Sequence, residues 1–410
     1  MRILFCAALS VALAAPLARA EPLTFDAALT LAQKSAPSLA AKSADVDAAR
    51  SSAVSAGRLP DPKLRFGIEN FPISGPPAGS FSRESMTMTT VGVTQDVPNA
   101  IKRRAERSRA DADINAARAS QTVEYRSVQV NTAVAWVNLY YAKAKLAALD
   151  DVAVTISSNQ KTATSQLTSG GLRPSQTLAA DQLMAALGDR RADLTAEVAR
   201  ARAELVRWTG DETADTAGTP PDFEVNPSAL QAELDRNPML GVYSAVADQA
   251  DADVNLARAN KYPDWGWDVT YAHRDHMWGD MVSTGVTISL PLFSKNRQDP
   301  AIQARQEQVT KARLDQEAVH RQLQAQLDAD LADHIMHHDR LNRARATLVP
   351  LAQKRADLEV ASYGAGTAML SDVLDAQLAL AEARVDLLSR EADVAVDAVR
   401  ITLTYGSDTQ

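Results

Sequence analysis

The sequence predicts a mainly α-helical chain with a small β part: long coiled-coil-like helices carrying four short strands, in an internally duplicated arrangement. Three observations predict it. Residues 101–166 contain no proline or glycine and are dense in Ala, Arg, Glu, Gln and Leu, which are strong helix formers. Four segments alternate apolar and polar residues with period two, the signature of half-buried strands. A set of landmarks also recurs in the same order after about 200 residues, as expected when one structural unit is used twice.

The chain opens on a leader. Residues 1–20 hold a basic Arg2, an apolar stretch and then Ala18-Arg19-Ala20, the three parts of a secretory signal peptide. The apolar stretch is shorter than the about 20 residues of a membrane span. Cleavage before Glu21 removes Arg2, Arg19 and the single cysteine, Cys6, so the formal charge goes from -8 to -10. No disulfide, thiolate metal site or cysteine nucleophile then remains. The acidic balance argues against a nucleic-acid partner. A mean hydropathy of -0.21, with no other run of 18 apolar residues, excludes a polytopic helical membrane protein.

The first repeat spans residues 21–215. Ala36-Pro37-Ser38-Leu39 opens a helix ending near Leu59-Pro60-Asp61-Pro62, followed by strands at about 62–71 and 85–97, the long helix, a turn at 169–175, and a helix ending at Trp208-Thr209-Gly210. Residues 216–236, rich in proline and acids at first, form the linker. The second repeat, 237–410, opens on Asn237-Pro238-Met239-Leu240, places strands at about 263–272 and 281–291, and continues through a long helix interrupted by Pro300 and Pro350, a turn at 363–368 and a last helix ending at Thr404-Tyr405-Gly406. A helix of about 65 residues would reach about 100 Å, far beyond the average of about a dozen residues. It needs helical partners, and Val134, Val137, Tyr141 and Leu146 supply the spacing of a packed seam.

In the strands, Leu64, Phe66 and Ile68 oppose Lys63, Arg65 and Glu69, while Trp265, Trp267, Val269 and Tyr271 oppose Asp264, Gly266, Asp268 and Thr270. Val282, Val286, Ile288 and Leu290 oppose Ser283, Gly285, Thr287 and Ser289, and Val91, Val93 and Val97 mark the weaker segment. Aromatic and branched residues on one side, with charged or small ones on the other, fit transmembrane β-barrel strands of about ten residues. Open edges cannot face lipid, and four strands cannot close a barrel that needs about eight. Several chains would pool strands, three of them giving twelve. The alternative is two amphipathic hairpins capping a soluble helical body.

At this point the residues resemble the TolC-like outer-membrane factors of tripartite efflux systems. The resemblance rests on Ser362-Tyr363-Gly364-Ala365-Gly366-Thr367 followed by Ser371-Asp372-Val373-Leu374-Asp375-Ala376. Gly57-Arg58-Leu59-Pro60-Asp61-Pro62-Lys63-Leu64 with Glu69-Asn70-Phe71, and Leu290-Pro291-Leu292-Phe293 with Asn296-Arg297, are similar to the heavy-metal branch. The resemblance implies a homotrimer with a twelve-stranded barrel in outer-membrane lipid and a periplasmic helical tunnel. Its tip would dock on a periplasmic adaptor and an inner-membrane transporter of the RND type. The chain would be a passive conduit for heavy-metal cations, with no catalysis and no cofactor. A channel for drugs or peptides, and a soluble periplasmic scaffold, stand as alternatives.

Candidate residues follow from both readings. Asp372 and Asp375 share a helix face and are, by resemblance, a ring at the periplasmic entrance; the plainer reading of Asp372 is a helix-dipole acid. Gly170, Gly171, Leu172, Arg173 and Ser175, with Gly364, Gly366 and Thr367, are expected in the adaptor-docking turns. Lys63, Arg65, Glu69 and Asp268 are expected to face the barrel lumen, and Tyr262, Trp265, Trp267 and Tyr271 to form the membrane girdle. His334 and His338, at i,i+4, either hold a metal or belong to a solvated helix face. His273 and His276 near the second hairpin tip are the other metal candidates. There is no phosphate loop, H-E-x-x-H or G-x-S-x-G sequence.

Overall fold

A computed structural model describes residues 22–168 and 174–406, and the side chains among them outside 155–180. The expected leader therefore lies outside the described residues. The elements in chain order are α1 (Phe25–Ser35), α2 (Pro37–Ala53), β1 (Lys63–Glu69), β2 (Met88–Val97), α3 (Ala100–Thr168), α4 (Pro174–Thr209), α5 (Pro227–Glu233), α6 (Pro238–Ala259), β3 (Asp264–His273), β4 (Met281–Ser289), α7 (Gln298–Arg343), α8 (Val349–Gly364) and α9 (Leu370–Tyr405). The chain is thus mainly helical with one small antiparallel sheet. Among the described residues, no helix is long and apolar enough to cross a membrane.

The residues divide into two compact units, each drawing on both halves of the sequence. The first comprises the amino-terminal residues to Ala36, Gln129–Phe223 and His334–Arg400. Its helical core joins Leu149 and Val152 of α3, Leu183, Leu187 and Leu194 of α4, and Leu370, Leu374, Ala381 and Val385 of α9. The steps of four and seven residues are those of a coiled-coil seam. Between α7 and α8 the helix widens to a π-turn at Ala344–Leu348. Pro350 is the cause: it has no N–H for a bond to the carbonyl four residues back, and its ring crowds that carbonyl.

In the same unit, Thr24 caps α1 by accepting the Ala27 N–H at 3.3 Å, and Phe25 packs edge-on against Trp136 at 5.6 Å and tilted against Phe223 at 5.9 Å. Leu23 bridges Thr216 in parallel, and its carbonyl accepts the fully buried Trp136 Nε1–H at 2.9 Å. Residues 215–217, the last of the expected first repeat and the first two of the expected linker, therefore hold the amino-terminal segment in place.

The second unit comprises Pro37–Val128, Glu224–Asp333 and the carboxyl-terminal residues from Ile401. Leu230, Leu234, Leu327, Leu331, Ile401 and Tyr405 form one of its cores, where the Tyr405 hydroxyl donates to Asp330 Oδ2 at 2.9 Å. Its sheet runs in the order β1-β2-β3-β4, all antiparallel. Prolines set the limits, with Pro62 before β1, Pro98 after β2, Pro263 before β3 and Pro291 beyond β4. A residue without an N–H cannot continue a ladder.

The Leu23 staple has a pH-dependent component. Asp215 is pulled up by partial burial, but Lys143 Nζ at 2.7 Å, the Thr216 amide at 2.8 Å and the charges of Lys143 and Arg202 outweigh this and hold its carboxyl below the usual range. Because the folded value is depressed, the contribution is complete above the ordinary pKa of about 3.9 and disappears as pH falls through the folded one. The thermal midpoint gap between wild type and Asp215→Asn, followed by circular dichroism, is therefore expected to be widest at pH 7 and to close below about pH 4. A gap unchanged across that range would contradict the assignment.

Candidate functional site: an amphipathic sheet and a helical tip

Strand register makes the sheet two-faced. Leu64 pairs with Val93, and Val93 with Val269; Phe66 pairs with Val91, Val91 with Tyr271, and Tyr271 with Val282. Trp265 and Trp267 sit opposite Ile288 and Val286. Paired residues share a face, so one side carries an almost unbroken apolar surface. It is uncovered among the described residues: Phe66 is 70% exposed and Val286 69%.

The other face is charged or small. Lys63, Thr94, Asp268 and Gly285 form one row, and Arg65, Gly92, Thr270 and Ser283 the next. Lys63 Nζ reaches Asp96 Oδ2 at 2.6 Å, and Arg65 lies 3.6 Å from Glu69. The four residues expected in a lumen thus project from this one face. Crowding there explains its glycines: a Cβ at Gly92 would lie 2.6 Å from Thr270 Oγ1, and one at Gly285 2.6 Å from Asp268 Oδ1. Trp265, Trp267 and Tyr271 are on the apolar face, with Tyr262 in the turn before β3.

Asn99 anchors the sheet to the helices of its unit. Its side chain accepts the Lys102 N–H at 2.8 Å, capping α3, while its backbone N–H and Nδ2 donate to Asp264 Oδ1 at 2.8 and 2.9 Å. Lys102 Nζ approaches the other oxygen of Asp264 at 3.3 Å. The reading of the sequence did not single out Asn99, although an Asn just before a long helix-forming run is an N-cap signal. At the second hairpin tip, Arg274 donates to the carbonyls of Gly279 at 2.7 Å, Trp278 at 2.6 Å and Ser85 at 3.3 Å. No sequence pattern marks that role.

The turn after α8 is built to a specific geometry. Thr367 N–H donates to Ser362 O at 2.9 Å and Gly366 N–H to Tyr363 O at 3.0 Å, with Gly366 at φ 76°. That pair of bonds around a left-handed glycine is the Schellman motif. At the start of α9, Asp372 Oδ2 accepts the Met369 N–H at 2.9 Å, and Asp375 is exposed one turn on. Asp372 is therefore a cap as well as a charge. Gly170, Gly171, Leu172 and Arg173, in the other expected turn, lie outside the described residues, as does the side chain of Ser175 in the first turn of α4.

The histidines separate. His273 Nδ1 faces Asp280 at 2.9 Å, and His276 Nδ1 faces Asp275 at 3.1 Å. Among the described residues, no group of three or more His, Cys, Asp or Glu is arranged to hold a metal ion. His334 and His338 do lie together, with ring centroids 4.8 Å apart.

Long helices with one amphipathic four-stranded antiparallel sheet define the fold. The chain matches the Campylobacter jejuni CmeC outer membrane channel with a TM-score of 0.77 at 13% identity, over 93% of this chain and 85% of that one. It matches CusC with a TM-score of 0.76 at 15% identity, over 93% and 92%. At these identities the likeness is one of fold. Residues 229–407 match the family model of the outer membrane efflux proteins. It is also 24% identical over 385 residues to the cobalt-zinc-cadmium resistance protein CzcC of Cupriavidus metallidurans, covering 91% of this chain and 87% of that protein.

The tip geometry gives a contrast between neighbouring glycines. Gly366→Ala forces a left-handed alanine and is expected to cost about 1–2 kcal/mol. Gly364 is helical with open space around a built Cβ, so Gly364→Ala is expected to stabilise by about 0.4–1 kcal/mol. Denaturant midpoints of the two variants check this; equal effects would rule out the turn described.

Proposed function

We propose that this chain is the outer-membrane conduit of a tripartite RND-type efflux system that exports heavy-metal cations. The observation that carries the reading is the sheet: an apolar face left bare and two outer strands, β1 and β4, each with one free edge. Such a sheet is viable in lipid only when its edges are closed by other strands, and three chains supply a twelve-stranded barrel. Tyr262, Trp265, Trp267 and Tyr271 then meet lipid and its interfaces, and Lys63, Arg65, Glu69 and Asp268 face water in the lumen. The helices form a periplasmic tunnel, and the two repeats, 21–215 and 237–410, supply equivalent parts of it. The turns at 169–175 and 363–368 dock the periplasmic adaptor, with the inner-membrane transporter beneath.

Asp372 and Asp375, three copies of each, form a negative ring at the periplasmic entrance. Such a ring raises the local concentration of cations without binding them tightly. The cargo reading is supported by the likeness to the cobalt-zinc-cadmium resistance protein CzcC. The chain performs no catalysis; the transporter supplies the energy.

The test is a deletion strain challenged with cobalt, zinc, cadmium and antibiotics. Metal tolerance is expected to fall and to return with the wild-type gene. It should return less with Asp372→Asn plus Asp375→Asn, which keeps an acceptor for the Met369 N–H while removing both charges. Unchanged metal tolerance with lost antibiotic tolerance would replace metal ions by drugs as the cargo. Recovery of the protein in the soluble periplasm would overturn the conduit itself.

A further inference from the structure

Helix α7 presents two imidazoles, one turn apart, that the conduit does not require. The rings of His334 and His338 are nearly perpendicular, at 84°, with centroids 4.8 Å apart. His334 is 8% exposed, and its Nδ1 is buried without a hydrogen-bond partner. Burial, and then the neighbouring His338, hold its pKa below the ordinary histidine value, while Asp397 pulls the other way. A proton on Nδ1 would have no acceptor, so the favoured tautomer carries it on Nε2 and leaves a lone pair at Nδ1. Native structures rarely leave such an atom idle. His337, between the two, is already engaged: its Nδ1 meets Asp397 Oδ2 at 2.6 Å, and Asp397 also accepts from Arg400 at 3.3 Å.

We infer that His334 and His338 form a two-imidazole site for a transition-metal cation of the Zn²⁺ or Cu²⁺ class. The spacing fits. A metal–nitrogen bond of about 2.0–2.1 Å places a ring centroid about 3.2 Å from the ion. Two such arms with centroids 4.8 Å apart open at about 100°, near the tetrahedral angle. No third protein ligand converges among the described residues, so two imidazoles alone hold the ion, reached from the side of the exposed His338. A contact along a conduit must release what it binds. Its use in transit rests on the cation-efflux reading; binding itself does not.

The experiment is calorimetric titration of the purified full-length protein in detergent with Zn²⁺ and then Cu²⁺, with electron paramagnetic resonance of the Cu²⁺ form. One ion per chain is expected, with two nitrogen ligands in the spectrum. Cu²⁺ should bind more tightly than Zn²⁺. His338→Gln, at an exposed position, should lower affinity by more than the about 10-fold typical of losing an outer-shell partner. His334→Gln should do the same, and His337→Gln should leave the nitrogen count at two. Absence of saturable binding, or binding that survives His338→Gln unchanged, would overturn the site. Neither result would touch the deletion phenotype, so the site and the conduit fail separately.

Discussion

The edges of the sheet are the constraint on which the rest depends. Among the described residues, β1 and β4 each leave a row of backbone donors and acceptors unpaired, beside an apolar face that stays uncovered. In water, such a surface invites aggregation. In hydrocarbon, each unmet backbone group costs several kcal/mol. The proposed conduit answers both problems at once, by closure with strands of other copies inside a membrane. The proposed trimer is therefore a consequence of backbone hydrogen bonding more than of any single side chain.

Within its unit, the sheet is held where helix and strand meet. Asn99 caps α3 and binds Asp264 at the start of β3, so one residue joins parts of the chain separated by 165 positions. Gly57 serves the same region, since at φ 65° a Cβ would collide with the Arg103 carbonyl. The polar face is lined by small residues where the strands crowd. Curvature toward that face is what a barrel wall requires.

Much of this was legible from residue order. Alternation of Trp265, Trp267, Val269 and Tyr271 with Asp264, Gly266, Asp268 and Thr270 is local information, and β3 forms where that pattern runs. Proline marked the strand limits because its missing N–H acts locally. The seam spacing in α3 was readable for the same reason, and the structure buries Val137 fully and packs Leu146 against the helical core. Partnerships across the chain were not: Trp136 to Leu23, His337 to Asp397 and Arg274 to Ser85 depend on how distant segments meet. The compact units follow spatial neighbours rather than the linear halves. A duplicated order of elements therefore does not mean two separately folded halves. The histidine spacing was visible, but the burial of His334 Nδ1 was not.

Closure of the barrel by separate copies is best tested by cross-linking the free edges. Cys6, within the expected leader, is the single cysteine of the sequence. Phe66→Cys in β1 would be combined in turn with Thr284→Cys, Val286→Cys or Ile288→Cys in β4, and outer membranes oxidised. Within one sheet, β1 and β4 are separated by two strands at about 4.8 Å spacing, too far for the about 5.5–6 Å Cα separation of a disulfide. The account predicts that at least one pair gives products of two and three chains and none larger. Single-chain species throughout, or a ladder continuing past three, would contradict it.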